Sequence, residues 1–261
     1  MPTLDQHHSD KILKLLYMGD SGAGKTGSLV SLVAVGYKLR IVDFDNGLDV
    51  LAAYVRKECP DKLNAISYIT FRDKFKAGPT GPIVDGVPKA YVNALKLMSK
   101  WDDETVPSAW GPDHVLVVDS LTGLGKAAFE WAKGISPMVK DPRQWYSAAQ
   151  QSVDQFISLV TSEAFATNVI IIAHVQNVEG PDGLMHGYAN TVGKALGPLI
   201  PTYFNNVVLA LRTGDGANAR RMIKTIPTSM VDLKNSAPFK LDAELPLGTG
   251  LATLFSKLKE T

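Results

Sequence analysis

The stretch Gly19-Asp-Ser-Gly-Ala-Gly-Lys-Thr26 decides the fold, because it fits the phosphate-binding pattern G-x-x-x-x-G-K-[ST]. Its glycines let the backbone turn tightly, so that successive N–H groups point inward at bound phosphates. The apolar run from Ile12 to Met18 predicts a buried strand before the loop, and the run from Thr26 to Val35 predicts a helix after it. This order of strand, loop and helix predicts a nucleoside triphosphate site.

Within this loop, Lys25 is expected to reach the β- and γ-phosphates, and Thr26 is expected to place its hydroxyl on Mg²⁺. The alternative is a glycine-rich turn that only joins two elements. The residues predicted to contact the nucleotide here are Gly19, Asp20, Ser21, Gly22, Ala23, Gly24, Lys25, Thr26 and Gly27.

Composition favours a single globular domain. The chain has 261 residues, of which 45% are hydrophobic and 20% charged, so we expect one α/β domain over 1–261 with a flexible tail at 1–10. The net charge of +1 means that contact with a polyanion must come from local loops. Cys59 is the single cysteine, which fits a reducing cytosol. With no secretion signal and no membrane span in the sequence, we expect a cytoplasmic protein.

Short β-branched runs alternate with helical patterns, which predicts a mostly parallel sheet covered by helices on both faces. Two late runs predict an antiparallel hairpin that extends the sheet, at 206–212 and 220–226. The other strands are predicted at 12–18, 39–44, 65–70, 114–119 and 169–174. Further helices are predicted at 48–58, 89–101, 121–134 and 143–165, with a turn-rich surface loop at 77–88.

Polar residues end three predicted strands, and ligands on such sheets bind at the carboxyl ends of the strands. Asp119 is expected to hold Mg²⁺ from the strand beside that of the phosphate loop, or else only to cap the next helix. Alternation puts Asp43 and Asp45 on one side, so one or both could polarise an attacking water, or else only form a turn. His174 could hydrogen-bond the γ-phosphate, or else be structural.

Read together, these segments resemble the RecA/RadA recombinase core, most of all the compact phage-encoded single-strand annealing or recombination ATPases. Asp119-Ser120 looks like the end of that family's metal-binding strand. Asp45 falls at the position of the family's general base, where RecA has Glu, and His174 at its γ-phosphate sensor. The resemblance implies a RecA-like P-loop NTPase with a mostly parallel central sheet, flanking helices and an antiparallel C-terminal hairpin. It also implies ATP hydrolysis with Mg²⁺.

The same resemblance implies further site residues. The segment 234–240 is similar to the RecA stretch whose lysines reach the γ-phosphate of the neighbouring subunit, and Lys234 is the candidate, with Arg221 and Lys224 in reserve. Tyr54 matches the residue that stacks on adenine. The catalytic residues implied are therefore Lys25, Asp45, Asp119, His174 and Lys234.

DNA contacts are also implied by the resemblance. The segment 175–193 matches the mobile second DNA-binding loop, which Lys194 follows, and the region from Lys126 to Tyr146 matches the first. Cations can follow phosphates while rings stack on unpaired bases. The alternative is that Trp145 packs into the core at a helix start. The predicted DNA-binding residues are Lys140, Arg143, Trp145, Tyr146 and Lys194.

These observations predict an ATP-dependent RecA-like protein that binds single-stranded DNA. It would assemble into a ring or filament, hydrolyse ATP between subunits under DNA stimulation, and act in phage-type homologous recombination or strand annealing. Two alternatives stay open: a nucleotide-binding P-loop module, and an NTPase that acts on a protein or another substrate. A kinase is disfavoured because the segment 175–193 has no arginine for a lid.

Overall fold

The computed structural model describes residues 11–79, 81–180 and 183–259. The strands are β1 Lys14–Gly19, β2 Lys38–Asp43, β3 Ile66–Thr70, β4 Phe75–Gly78, β5 Gly81–Val84, β6 Gly111–Asp119, β7 Thr167–Ala173, β8 Val175–Glu179, β9 Met185–Ala189, β10 Asn206–Thr213, β11 Arg220–Lys224 and β12 Glu244–Pro246. The helices are α1 Lys25–Ser28, α2 Val30–Ala34, α3 Asp49–Glu58, α4 Ala90–Leu97, α5 Leu121–Ile135, α6 Pro142–Thr161 and α7 Leu247–Lys259.

Eight of these strands form the central sheet, in the order β12-β11-β10-β1-β7-β6-β2-β3. The strands from β10 to β3 are parallel, whereas β11 and β12 are antiparallel. This confirms the mostly parallel sheet with an antiparallel C-terminal extension. One expectation is wrong: β7 lies between β1 and β6, so Asp119 is not on the strand next to that of the phosphate loop. Strand order depends on crossovers, which local patterns do not report.

The inner strands β1 and β7 are buried almost along their whole length, because helices cover both faces of the sheet. In β1, Leu16 and Met18 pack in the cluster that contains residues of α4, α5 and α6. Leu15 and Tyr17 pack on the other face, in the cluster that contains residues of α2, α3 and α7. Successive side chains of a strand point to opposite faces, so each strand helps to fill two cores.

The helix predicted after the phosphate loop divides into the short helices α1 and α2. The Ser28 hydroxyl donates to the carbonyl of Lys25 at 2.7 Å, and the Ser31 hydroxyl donates to that of Ser28 at 2.9 Å. Such side-chain bonds compete with the helical ladder. At the junction, the N–H of Leu29 donates to the carbonyl of Thr26, three residues earlier. The helix that directly follows the loop is therefore only four residues long.

Two hairpins occupy segments that were predicted to be loops. The strands β4 and β5 pair within the region expected to be a surface loop. The expected mobile loop 175–193 contains the paired strands β8 and β9. The N–H of Gly187 donates to the carbonyl of Met230 at 2.7 Å, and that of Asn190 donates to the carbonyl of His174 at 2.8 Å. These bonds tie the β8–β9 hairpin to the body of the domain.

The domain prediction of one unit over 1–261 stays a prediction, and its proposed tail at 1–10 lies outside the described residues. In the described ranges, no helix is both long enough and apolar enough to cross a membrane.

Asn168 joins three strands at the amino-terminal edge of the sheet. Its side-chain amide donates to the carbonyls of Pro112 at 2.8 Å and His114 at 2.7 Å, and its oxygen accepts from the N–H of Leu13 at 3.0 Å. The carbonyls of Pro112 and His114 lie where the pairing of β6 with β7 shifts register, between Gly111 and Val115. The buried side chain therefore satisfies backbone groups beside this irregularity.

We expect Asn168→Leu to lower the free energy of unfolding by about 1–3 kcal/mol, because the N–H of Leu13 and the carbonyl of His114 lose this partner, whereas the carbonyl of Pro112 still accepts from Lys259. Urea unfolding followed by circular dichroism measures this effect. The matched control is Asn93→Leu on the exposed side of α4, which should change stability by at most about 0.5 kcal/mol. Equal midpoints for the two variants would contradict this account of the strand junction.

Candidate functional site

A cavity of about 730 Å³ lies at the carboxyl ends of β1, β2, β6 and β7. The phosphate loop forms its floor, and Asp45, Asp119 and His174 line one end of it. The cavity is thus formed by segments that are far apart in the sequence. The lining residues that sequence analysis missed include Val50, Glu58, Ala219, Pro246, Leu247 and Gly248.

Lys25 lies across the phosphate loop. Its ammonium donates to the carbonyls of Gly19 at 2.7 Å and Asp20 at 2.9 Å, and the residue is only 6% exposed. Burial lowers the pKa of Lys25, while the nearby Asp119, Asp20 and Asp45 act in the opposite direction. The loop therefore holds a buried cation beside its own amide groups, which suits it to a polyanionic ligand.

Gly24 is required by both its backbone and its surroundings. Its φ is +97°, and a Cβ atom there would lie 2.5 Å from Cδ2 of Leu247 at the start of α7. The aliphatic part of Arg221 on β11 lies nearby, 3.4 Å from the same position. The C-terminal elements therefore close one wall of the cavity. The sequence around Leu247 does not predict its contact with Gly24, because that contact depends on where α7 begins after β12.

Thr26 and Asp119 form the candidate cation site. The Thr26 hydroxyl donates to Oδ2 of Asp119 at 2.7 Å, across the intervening strand β7. Burial raises the pKa of Asp119 to about 6, with Asp45 and Asp43 adding to the shift and Thr26 and Lys25 opposing it. A buried carboxylate with carboxylate neighbours is suited to a bound cation, so these two oxygens fit Mg²⁺.

Mg²⁺ usually keeps several water and phosphate ligands and binds few protein groups. The described residues contain no group of three or more His, Cys, Asp or Glu side chains placed to hold a metal ion. A site made of Thr26 and Asp119 leaves most positions around Mg²⁺ to water and phosphate.

Asp43 and Asp45 have different roles, although alternation was expected to place them together. The buried Asp43 ends β2, and its carboxylate accepts from the N–H groups of Asp45 and Asn46 and from the Thr70 hydroxyl. These bonds hold the turn that follows the strand. Asp43 does not line the cavity, whereas Asp45 does. The strand alternation that we expected does not extend to Asp45, because β2 ends at Asp43.

Asp45 and His174 meet at the wall of the cavity. Nε2 of His174 lies 3.7 Å from Oδ2 of Asp45, which is longer than a hydrogen bond. Burial alone would raise the pKa of Asp45, but His174, Ser120 and the charge of Lys126 outweigh it and hold the pKa below its usual range. Asp45 is therefore ionised at neutral pH and can accept a hydrogen bond from water.

Tyr54 lies on α3 beside the phosphate loop. A Cβ atom on Gly27 would come within 2.9 Å of Cε2 of the Tyr54 ring. The ring also lines the cavity, as do Pro246 and Leu247. It is thus available to a ligand, as its predicted stacking role requires, and that role stays a prediction.

Among the three basic candidates for contact with a neighbouring subunit, only Arg221 lines the cavity of its own chain. Lys224 pairs with Glu244 at 2.9 Å. Lys234 is exposed, and its backbone pairs with Val207 near the amino-terminal end of β10. The phosphate loop follows the other end of that sheet, so Lys234 can contact a nucleotide only if another subunit supplies it.

The predicted DNA-binding residues do not form one free surface. The Trp145 indole packs against the core and donates to the carbonyl of Ser136 at 3.0 Å, which corrects its expected availability for stacking. Tyr146 is 45% exposed, and its ring lies 4.5 Å from that of Phe129. Arg143 pairs with Asp141 at 2.8 Å. Lys140 and Lys194 are exposed.

A family model described as AAA domain matches residues 11–237. Because this match spans most of the chain, the protein belongs to the AAA domain family. No curated protein matches the sequence significantly.

Among solved structures, the RadB recombinase is 17% identical, with a TM-score of 0.50 over 92% of this chain and 89% of its own. A KaiC-like protein from Pyrococcus horikoshii OT3 is 11% identical, with a TM-score of 0.44 over 90% and 84%. The flagellar accessory protein FlaH from Methanocaldococcus jannaschii is 13% identical, with a TM-score of 0.43 over 91% and 87%. The likeness to RadB concerns the fold, which is RecA-like, whereas the family match shows that the chain is an AAA domain.

We expect Asp119→Asn to stabilise the nucleotide-free, magnesium-free protein at pH 7 by roughly 1–3 kcal/mol. The folded state holds the Asp119 proton up to about pH 6, whereas the unfolded chain releases it near its ordinary pKa. Folding therefore becomes less favourable as pH rises between these values, and asparagine avoids that cost. The side-chain oxygen of the asparagine can still accept a hydrogen bond from the Thr26 hydroxyl.

Urea unfolding in EDTA at pH 7 and pH 4 measures this difference, which should shrink at the lower pH as both states of the wild type bind the proton. Asp61→Asn, at an exposed position, is the control and should keep wild-type stability at both values. Loss of stability in Asp119→Asn at pH 7 would show that the ionised carboxylate is a net stabilising group.

Proposed function

We propose that this protein binds ATP with Mg²⁺, hydrolyses it between subunits of a ring or filament, and does so while bound to single-stranded DNA. It would act in the cytoplasm, in homologous recombination or strand annealing of the phage type. The fold-level likeness to the RadB recombinase supports the recombination part of this proposal.

The convergence of Asp45, His174 and the Thr26–Asp119 pair at the phosphate loop is the observation that carries the proposal. These groups come from the ends of β1, β2, β6 and β7 and share one cavity. Phosphoryl transfer needs little covalent chemistry from the protein, because positioning and charge stabilisation do most of the work. A cavity with a buried lysine, a cation site and an ionised carboxylate can supply both.

Each residue has a separate task in this scheme. Lys25 and the loop amides hold the phosphates and offset their charge. Asp45 accepts a hydrogen bond from the attacking water and orients it, because an ionised carboxylate of lowered pKa is a better positioning group than proton acceptor. Thr26 and Asp119 hold Mg²⁺, which supplies Lewis-acid stabilisation when bound.

His174 is suited to sense the γ-phosphate, since it lies beside Asp45 and directly precedes the β8–β9 hairpin. Its peptide carbonyl accepts from the N–H of Asn190 at 2.8 Å, where that hairpin returns. A shift of the imidazole on nucleotide binding would therefore be transmitted to the hairpin. The exposed Lys140, Arg143 and Lys194 are the side chains that we propose contact DNA phosphates outside the cavity.

Phosphate release with and without oligo-dT tests this function. We expect ATP turnover that single-stranded DNA stimulates, and we expect Lys25→Ala to reduce turnover at least 100-fold because it removes the phosphate-binding cation. Lys38→Ala, which breaks only an exposed ion pair with Asp113, is the matched control. Nucleotide binding without turnover would favour the non-catalytic module, and turnover without DNA binding at low salt would remove the recombination claim.

Mixing variants tests whether Lys234 acts on the neighbouring subunit. Lys25→Ala and Lys234→Ala should each be inactive alone, because one lacks the phosphate lysine and the other lacks the lysine offered in trans. An equal mixture should recover about a quarter of wild-type turnover, since that share of interfaces joins two intact halves. No recovery in a mixture that forms mixed oligomers by crosslinking would contradict the trans role.

A further inference from the structure

A second cavity of about 400 Å³ lies behind the Asp45–His174 wall, on the side away from the phosphate loop. Both residues of that wall line both cavities. The other side of the second cavity is formed by the segment after β3, by β4 and by the first turns of α5. Its volume is near the lower end of the range for ligand pockets, which suits a group the size of one nucleotide.

An exposed aromatic ring stands at this cavity. Phe75 on β4 is 58% exposed and lines the opening, while Phe44 and Phe71 are buried at its base. The rings of Phe44 and Phe71 pack on each other at 5.9 Å. In the described part of the chain, the Phe75 ring has no aromatic partner, whereas Trp145 and Tyr146 are both engaged. Phe75 is therefore a ring at this cavity that is free to stack on a ligand.

Two cations at the cavity lack ion pairs within the described residues. These are Arg72, two residues after the end of β3, and Lys126 on α5. The acidic residues beside them are engaged: Asp73 accepts from the N–H groups of Lys89 and Ala90, and Glu130 pairs with Lys133. Asp45 faces His174. Three carboxylates and two cations therefore line the cavity, and Arg72 and Lys126 are the two side chains there that can offer a positive charge to a ligand.

We propose that this second cavity binds one nucleotide unit of a single-stranded nucleic acid, with its base against Phe75 and its flanking phosphates on Arg72 and Lys126. An aromatic face beside free cations is the arrangement that binds unpaired bases with little sequence preference. The proposal rests on the proposed function for its class of ligand. It adds a contact site separate from the exposed cations named above.

This site would link nucleic-acid binding directly to hydrolysis. A base in the second cavity contacts one side of the Asp45–His174 wall, and the γ-phosphate contacts the other. Because the two side chains lie 3.7 Å apart, a small displacement changes how Asp45 holds the attacking water. Stimulation by single-stranded DNA then needs no movement of a distant domain.

Binding of fluorescent oligo-dT in the presence of Mg²⁺ and a non-hydrolysable ATP analogue tests the two cations. The double variant Arg72→Ala/Lys126→Ala should bind at least 10-fold more weakly. The slope of log K against log salt should fall by about 1.4, because each phosphate contact on a single strand contributes about 0.7. ATP turnover without DNA should stay at the wild-type rate in the single variant Arg72→Ala, because Lys126 also acts on the catalytic Asp45. The matched control is the double variant Arg56→Ala/Lys57→Ala, which removes one arginine and one lysine from exposed positions on α3.

The ring is tested with a conservative pair. Phe75→Leu should weaken oligo-dT binding about 5- to 100-fold, because the stacking of one base is lost. Phe75→Tyr keeps an aromatic ring and should bind oligo-dT as tightly as the wild type. In the wild type, 5-iodouracil in the oligonucleotide should photocrosslink to Phe75. Free dTMP at millimolar concentration should not displace the oligonucleotide, since it lacks the neighbouring phosphate.

The outcomes separate the two claims. If the wild type binds oligo-dT and the cavity variants match the α3 control in affinity and salt slope, the second site is refuted and the proposed function stands. If the wild type hydrolyses ATP but does not bind oligo-dT, both the DNA function and this site are refuted. Displacement by free dTMP would make the cavity a nucleotide pocket and overturn the nucleic-acid assignment.

Discussion

The hydrogen bond from the Thr26 hydroxyl to the Asp119 carboxylate is the interaction on which the site depends. It joins the phosphate loop after β1 to the end of β6 across the strand between them. Asp119 is buried, so its charge needs partners, and Thr26 and Lys25 are the groups beside it that favour ionisation. A cation held here lies next to the cradle for phosphates. The sheet therefore brings binding and charge neutralisation to one edge.

The wall formed by Asp45 and His174 lies between two cavities at this edge of the sheet. On one side is the cavity of the phosphate loop, and on the other is the smaller cavity with Phe75, Arg72 and Lys126. Two ligands that touch this one pair of side chains would not bind independently. The proposed nucleic-acid site would therefore be coupled to the nucleotide through direct contact rather than a long pathway.

Much of the site was predicted from sequence because its residues carry local signals. The loop from Gly19 to Thr26 has a defined spacing, and Asp119 and His174 follow apolar strand runs. Other features have no local signal. Trp145 was predicted to contact DNA, with packing into the core as the alternative, and it packs against the core. Asp45 was expected to follow strand alternation but lies beyond the end of β2. The hairpins β4–β5 and β8–β9 were missed because their glycines also suit loops.

The sequence by itself determined the phosphate loop, the mostly parallel sheet and its antiparallel extension, because glycine spacing and apolar periodicity act over a few residues. Only the tertiary structure decided that β7 separates β1 from β6, that α7 closes over Gly24, and that Lys234 lies far from its own phosphate loop. These features depend on strand order and crossovers, which are set by packing between distant segments. Contacts across such distances leave no pattern in a single sequence.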